Sequence, residues 1–460
     1  MEQKLQNMKK QIKDNIQYLL DNKKLEKSLF LIDKYLKVVS FDPEMYSLKL
    51  IITMMKGITL DSENILKNVL EREPYNEELL FNLSYLMDKK KEEKQALEYF
   101  CKAKLFNPSS NVNVGDIISN FKPISSNLRI LNGTIEIANQ INTITKGLRK
   151  LGLEAKSLNY YPSYLGYKCD YVLDINLYKD INAANVETKK LAAKMIAEND
   201  VFHFHFGTSL AIDYSDLQLL KKLGKKVLMQ HWGSDVRMYS KAVKVSPNVK
   251  VKELDENKIK RRLEFLSKNI SHCAVCDYEL YDYVKDYYEN IHIIRQCIDL
   301  SDFKLNNAKN NKLLIVHAPT NREIKGTKYI LKAIEALKLS YDFDFKLIEN
   351  MSYEDAMKTY RNADIVIDQL LIGSYGLVAI ENMALGKPVI CYINEKMKEK
   401  YPSELPIISC GIEDIKEKIE YLIKNQDALK IIGLNGRKYV EKYHDINKLN
   451  SEIVKIYEEI

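Results

Sequence analysis

The chain has 460 residues, 46% hydrophobic and 29% charged, which is more than a single core usually holds and predicts two or three domains. Its 70 Lys and Arg against 63 Asp and Glu leave a formal charge of +7, enough to favour an anionic small ligand but too little to mark a nucleic-acid binder. No apolar run is long enough to span a bilayer, the basic start MEQKLQNMKKQIKDN has no apolar stretch behind it, and the seven cysteines read as reduced thiols, so a cytoplasmic location is expected, with at most peripheral contact with the inner face of a membrane.

Residues 1–108 show helical apolar spacing throughout, as in SLFLIDKYLKVV and QALEYFCKAKLF. Pro43, Pro74 and Pro108, spaced 31 and 34 residues apart, are each expected to end a helical stretch. A period near 34 resembles tetratricopeptide repeats. The last unit fits best, with Leu80, Leu83, Ala96, Phe100, Ala103 and Pro108 at the large, small, aromatic and proline positions, and Ser84 where glycine is usual. About three repeats are expected, recruiting a protein partner or a protein acceptor. Residues 109–127, polar with Gly, Pro and Ser, read as a linker.

From Leu128 onward short apolar runs alternate with amphipathic helices. Candidate strands are LRILN, VFHFHF, KKVLMQH, HCAVC, LLIVHA, FKLIE, ADIVID and KPVICYI, with helices such as EIANQINTITKGLRKLG and DAMKTYRNA between them. Such alternation predicts parallel sheets covered on both faces, and its length predicts two doubly wound lobes, 128–296 and 297–460. NIHIIRQCIDLSDF would be the hinge, and the last helix would cross back. Cys273 and Cys276 lack a second pair at zinc spacing and read as a buried strand. KKLGKK, Lys221 to Lys226, reads as a solvated helix end.

Four pieces carry chemistry. In the first, Gly133-Thr134 joins a strand to a helix whose N-terminus can offer N–H groups to an anion. In the second, His203 and His205 alternate with phenylalanines along a strand, and His231 ends another strand just before Trp232-Gly233-Ser234-Asp235, at the edge where parallel sheets place ligands. The third is Arg322 with Lys325-Gly326, fixed cations suited to a departing diphosphate. The fourth is ADIVIDQLLIGSYGLVAIENMALGKPVI, where a helix from about Leu377 follows Tyr375-Gly376 and carries Glu381 one turn in.

In this order the four pieces resemble the retaining glycosyltransferases of family four, across most of residues 128–445. The resemblance implies a GT-B fold and a hexosyltransferase-type enzyme that moves a sugar from a uridine or guanosine diphosphate donor to a glycan, lipid or protein acceptor. It implies donor contacts from Arg322, Lys325, Tyr375, Gly376, Leu377 and Glu381, an acceptor and phosphate loop at Gly133 and Thr134, and His231 in the cleft at the reacting centre. His203, His205, Asp235, Asp368 and Gln369 are further cleft candidates. The family's first glutamate is replaced here by Gly373 and its first glycine by Ser374, which leaves Asp368 or Gln369 to take over part of the sugar contact. No Asp-x-Asp motif suggests a metal, so neither metal nor cofactor is expected. The competing reading is a repeat-based scaffold carrying a GT-B unit that no longer turns over.

Overall fold

The computed structural model describes residues 2–39, 41–57, 60–163, 165–305 and 310–460. They form two compact units. One comprises Met1–Pro123 with Asn185–Glu198 and Gln218–Leu223, and the other comprises Ile124–Ala184, Asn199–Leu217 and Gly224–Ile460.

The first unit is all-helical, as the apolar spacing predicts. Its helices are Glu2–Asp21, Leu25–Val38, Pro43–Met55, Leu60–Arg72, Glu77–Lys89 and Glu93–Phe106, and they pack in consecutive pairs. This pairing is consistent with helical repeats. Leu80, Leu83, Ala96, Phe100 and Ala103 are all buried where the last pair meets, each large side chain adding roughly 2 kcal/mol. Ser84 replaces the expected glycine because its hydroxyl donates to the Ala96 carbonyl at 2.7 Å across that contact. Pro43 corrects the sequence expectation. It opens a helix, with Asp42 as N-cap, since a first-turn residue needs no N–H. Within this unit Glu198 pairs with Lys94 at 2.6 Å, and Lys189 lies over the Phe106 ring.

The second unit holds two parallel sheets. The first contains β1 (Arg129–Gly133), β2 (Glu154–Asn159), β3 (Tyr171–Val172), β4 (Val201–His205), β5 (Lys226–His231), β6 (His272–Val275) and β7 (Asn290–Ile293), in the order β3-β2-β1-β4-β5-β6-β7. The second contains β8 (Leu314–His317), β9 (Asp344–Leu347), β10 (Ile365–Ile367) and β11 (Val389–Ile390), in the order β11-β10-β8-β9. All pairings are parallel. Strand order reverses between β1 and β4 and again between β8 and β10, so each sheet opens a crevice at its carboxyl edge there.

One face of the first sheet, with Ile130, Val201, Leu228 and Ala274, is covered by Ile144 and Leu148 of helix Gln140–Lys150. Leu449, Ile453 and Tyr457 of helix Ile446–Glu459 cover it too. The last helix therefore packs on the first lobe. In the second lobe, Ile315, Ile365 and Ile367 pack against helices Thr327–Lys338 and Ile415–Lys424. Val316 and Val366 on the opposite face meet helices Leu377–Ala384 and Gln426–Tyr443.

KKLGKK is only partly a solvated end. Lys225 is buried 3.3 Å from Asp200, which also takes a two-pronged contact from Arg129. Burial raises the Asp200 pKa, but Arg129 and Lys225 outweigh it and hold it at about 2. Among the described residues no helix is long and apolar enough to cross a membrane.

Candidate functional site

The crevice of the second lobe gathers Lys325, Asp368, Gly376 and Leu377, with Glu381 close by. At the end of β8, the buried His317 joins the Ile367 carbonyl through Nδ1 and the Thr327 hydroxyl through Nε2, both at 2.9 Å. Burial lowers its pKa to about 4, so the ring is neutral and serves to tie β8 to β10. The following loop closes on Gly326, and Lys325 projects to within 2.7 Å of Asp368 Oδ1. Asp368 leaves the end of β10, and its Oδ2 accepts the Gly376 N–H at 3.0 Å. Gly376 is the N-cap of helix Leu377–Ala384. A Cβ there would point at Asp368 Oδ2 (3.6 Å) and Lys325 Nζ (3.9 Å), so bare backbone faces the ion pair. Lys325, Asp368, Gly376 and the helix N-terminus thus meet at one point.

Glu381 lies one turn further and is buried. Its Oε1 accepts from the Tyr353 hydroxyl at 2.7 Å. Burial first, then the charge of Asp368, lift its pKa to about 8 despite that bond. Tyr353 is a residue the sequence reading missed. Its backbone N–H donates to the Leu165 carbonyl of the first lobe, and its ring meets Tyr167. Gln369 and Ser374 are joined side chain to carbonyl. Tyr375 is buried, and its hydroxyl bonds both the Tyr439 hydroxyl and His444 Nε2 at 3.1 Å. Tyr375, Tyr401 and Tyr439 thus form a buried cluster behind Gly376. Arg322 stands apart from Lys325, exposed and forked onto Glu349 at the surface.

A cleft between Glu381 and the first lobe is bordered by Asn139, Gln140 and Thr143 on one side, by Asp299, and by Leu377 and Glu381 on the other. The Gln140 amide exchanges two hydrogen bonds with the Cys297 backbone, at 2.9 and 3.0 Å. Asp299 is held by Lys146 and Lys150, each at 2.7 Å, well below the usual carboxylate range in spite of burial. Ala138 and Asn139, with φ of 53° and 59°, are both left-handed without being glycine. Such backbone costs roughly 1 kcal/mol or more per residue and collects at functional loops. The helix accordingly opens at Gln140, later than EIANQ suggests.

Gly373, in the place of the family's first glutamate, has φ +94° and faces the first lobe. A Cβ there would come within 2.4 Å of Asn394 Nδ2 and 2.7 Å of Ser246 Oγ. Ser246 itself donates to the Ile372 carbonyl at 2.9 Å. The lobes touch at this turn, and a side chain here would strain the backbone and displace Asn394 and Ser246.

The first-lobe residues are enclosed. Gly133 ends β1, and the buried Thr134 hydroxyl joins Thr208 at 2.9 Å and the Ser209 carbonyl at 3.2 Å. His203 and His205 share one face of β4, with rings stacked 4.5 Å apart, and both are buried and neutral. Trp232 Nε1–H donates to His205 Nδ1 at 3.0 Å, so the His205 proton sits on Nε2.

His231 is enclosed at the end of β5. The ring is fully buried, with Nδ1 2.7 Å from Asp235 Oδ2 and Nε2 3.0 Å from the Tyr288 hydroxyl. Asp235 Oδ1 also caps the N–H groups of Trp232 and Gly233. Burial raises the Asp235 pKa, but His231 and these donors hold it below the usual range. The strand end and the carboxylate four residues on lock the turn together, which takes up both ring nitrogens. Among the described residues no three or more His, Cys, Asp or Glu side chains gather as a metal site.

Residues 302–439 match the family described as glycosyl transferases group 1. An uncharacterised glycosyltransferase of Methanocaldococcus jannaschii is 27% identical over 145 residues, 30% of this chain and 41% of that protein. The match thus spans under half of that relative's length. Sucrose-phosphate synthase of Thermosynechococcus elongatus superposes with a TM-score of 0.52 at 13% identity, over 72% of this chain and 98% of that one. Anabaena HepE, solved with UDP and glucose, does so with a TM-score of 0.50 at 11% identity, over 72% and 100%. The structural likenesses speak to fold alone. The two parallel-sheet lobes form a GT-B fold, and residues 302–439 of its second lobe are similar to the glycosyl transferases group 1 family.

Proposed function

We propose that the protein transfers a sugar from a nucleoside diphosphate donor, seated on the second lobe, to an acceptor on the first, with retention of configuration. The observation that carries this reading is the meeting of Lys325, the Gly376 N–H and the N-terminus of helix Leu377–Ala384 at the β8/β10 crevice, with Glu381 one turn away. A diphosphate fits the first three, and ribose hydroxyls fit a carboxyl. HepE, of the same fold, was solved with UDP and glucose, which supports a uridine nucleotide as the first donor to try. Lys325 and the helix dipole supply the charge on the leaving group, so no divalent cation is required. The helical unit recruits a protein partner or a protein acceptor through its repeats, which we read as tetratricopeptide-like.

A thermal-shift screen of UDP- and GDP-sugars tests the reading, because the right donor raises the melting temperature by mass action. Hydrolysis of that donor without acceptor, unchanged in chelator, is the expected activity. No shift with any nucleotide sugar, or activity lost in chelator and restored by magnesium or manganese, would count against it.

The buried His231 and the side-chain-free Gly373 favour a second reading, a binding scaffold whose GT-B unit does not turn over. Donor that binds yet is neither hydrolysed nor transferred would decide for the scaffold.

A further inference from the structure

The two donors best placed for a phosphate are already engaged by a carboxylate of this chain. Asp368 Oδ1 lies 2.7 Å from Lys325 Nζ, and Oδ2 takes the Gly376 N–H at 3.0 Å. A backbone N–H is a single donor, so an anion can use Gly376 only if Asp368 lets go. Asp368 is also buried, and an anion brought beside an ionised carboxylate there is repelled. The Asp368 backbone is pinned to β11 by its N–H on the Ile390 carbonyl at 2.9 Å, so release is a side-chain rotation and not a shift of the strand. The position of the family's glutamate is Gly373, which carries no side chain and where one would displace Asn394 and Ser246.

We infer that Asp368 is a built-in substitute for phosphate. Its carboxylate occupies the Lys325 and Gly376 donors until a diphosphate displaces it, and once released it accepts a hydroxyl of the donor sugar in place of the missing glutamate. The inference rests on the nucleotide-sugar reading for its sugar half, while its phosphate half stands on the Lys325, Asp368 and Gly376 geometry alone. Discrimination follows from it, since a diphosphate without a sugar pushes Asp368 aside and leaves its carboxylate unpartnered, whereas a sugar donor offers it a hydroxyl.

The test is Asp368→Asn, which keeps the shape and the acceptor for Gly376 but drops the charge, with calorimetry of inorganic pyrophosphate, UDP, GDP and uridine on the full chain. Pyrophosphate and UDP are expected to bind about tenfold more tightly than to the parent and uridine equally well, while turnover of the sugar donor falls tenfold or more. A general loosening of the fold would not tighten the anions and spare uridine. If the variant does not fold, Asp368→Ser carries the same expectation. Unchanged or weaker pyrophosphate binding overturns the phosphate half, and tightened anions with parental turnover overturn the sugar half. If neither protein binds UDP or GDP but the variant gains pyrophosphate, the substitute role holds and the nucleotide reading fails. If the parent binds UDP and the variant gains no pyrophosphate affinity, the substitute role fails and the nucleotide reading holds.

Discussion

Glu381 holds a proton at neutral pH, because burial and the nearby Asp368 lift its pKa from 4.5 to about 8. A carboxyl raised in this way binds a proton in the folded chain that the unfolded chain has already lost. Its cost to stability is therefore absent below about pH 4.5, grows as the pH rises, and is complete above about 8. Urea unfolding of the parent should show a falling midpoint between pH 5 and 8.5, and Glu381→Gln should flatten that fall by ~1 kcal/mol or more. Equal slopes would mean the carboxyl is ionised in the fold. His231→Ala should cost roughly 2 kcal/mol of stability, since Asp235 and Tyr288 both lose a buried partner. A melting temperature equal to the parent's would remove His231 from that network. The meeting of Lys325 and Gly376 was legible in the sequence only through the motifs that resemble family four. The enclosure of His231 was not, since Tyr288 lies 57 positions away and no local pattern announces it. Tyr353 was equally silent, as one tyrosine among 30.

Elements with an apolar rhythm of their own were readable, and those that borrow stability from neighbours were not. β4, β5, β8 and β10 are short apolar runs that stand out from their surroundings. β2 spells EAKSLN and keeps its place by pairing with β1 and β3, so no alternation gives it away. β7 is an edge strand, half-exposed, at the start of a segment that reads as hinge. The departure at Gly373 was visible as a letter, but its cause is a turn pressed against Ser246 and Asn394. Gly373→Ala should therefore destabilise the protein by about 1–3 kcal/mol, from the left-handed backbone and the contact together, as denaturant titration would show. A neutral result would mean that the lobes separate readily at this turn.

The helix that covers the first sheet follows the whole second lobe in the chain. Tyr457 Oη meets His203 Nδ1 at 2.8 Å across 254 positions. At Gly147 the approach is so close that a Cβ would sit 2.1 Å from Asn450 Nδ2 and 2.6 Å from Ile446 Cγ1. Removing residues 446–460 should cost on the order of 5 kcal/mol, the burial lost at Leu449, Ile453 and Tyr457. The damage should fall on the first lobe, with hydrogen exchange rising in β1, β4 and β5 more than in β8 and β10. Uniform exchange through both lobes would mean that they unfold as one.

That same helix sets an order of events during synthesis. A ribosome delivers Ile130, Val201 and Leu228 long before it delivers Leu449, Ile453 and Tyr457, which complete their cover. For most of translation the first sheet therefore presents an apolar face only partly covered, by helix Gln140–Lys150, while the later lobe, with its nearest partners close in the chain, can settle first. The early-made half is finished last. It is there that a nascent chain would attract chaperones, and there that a stalled one would aggregate.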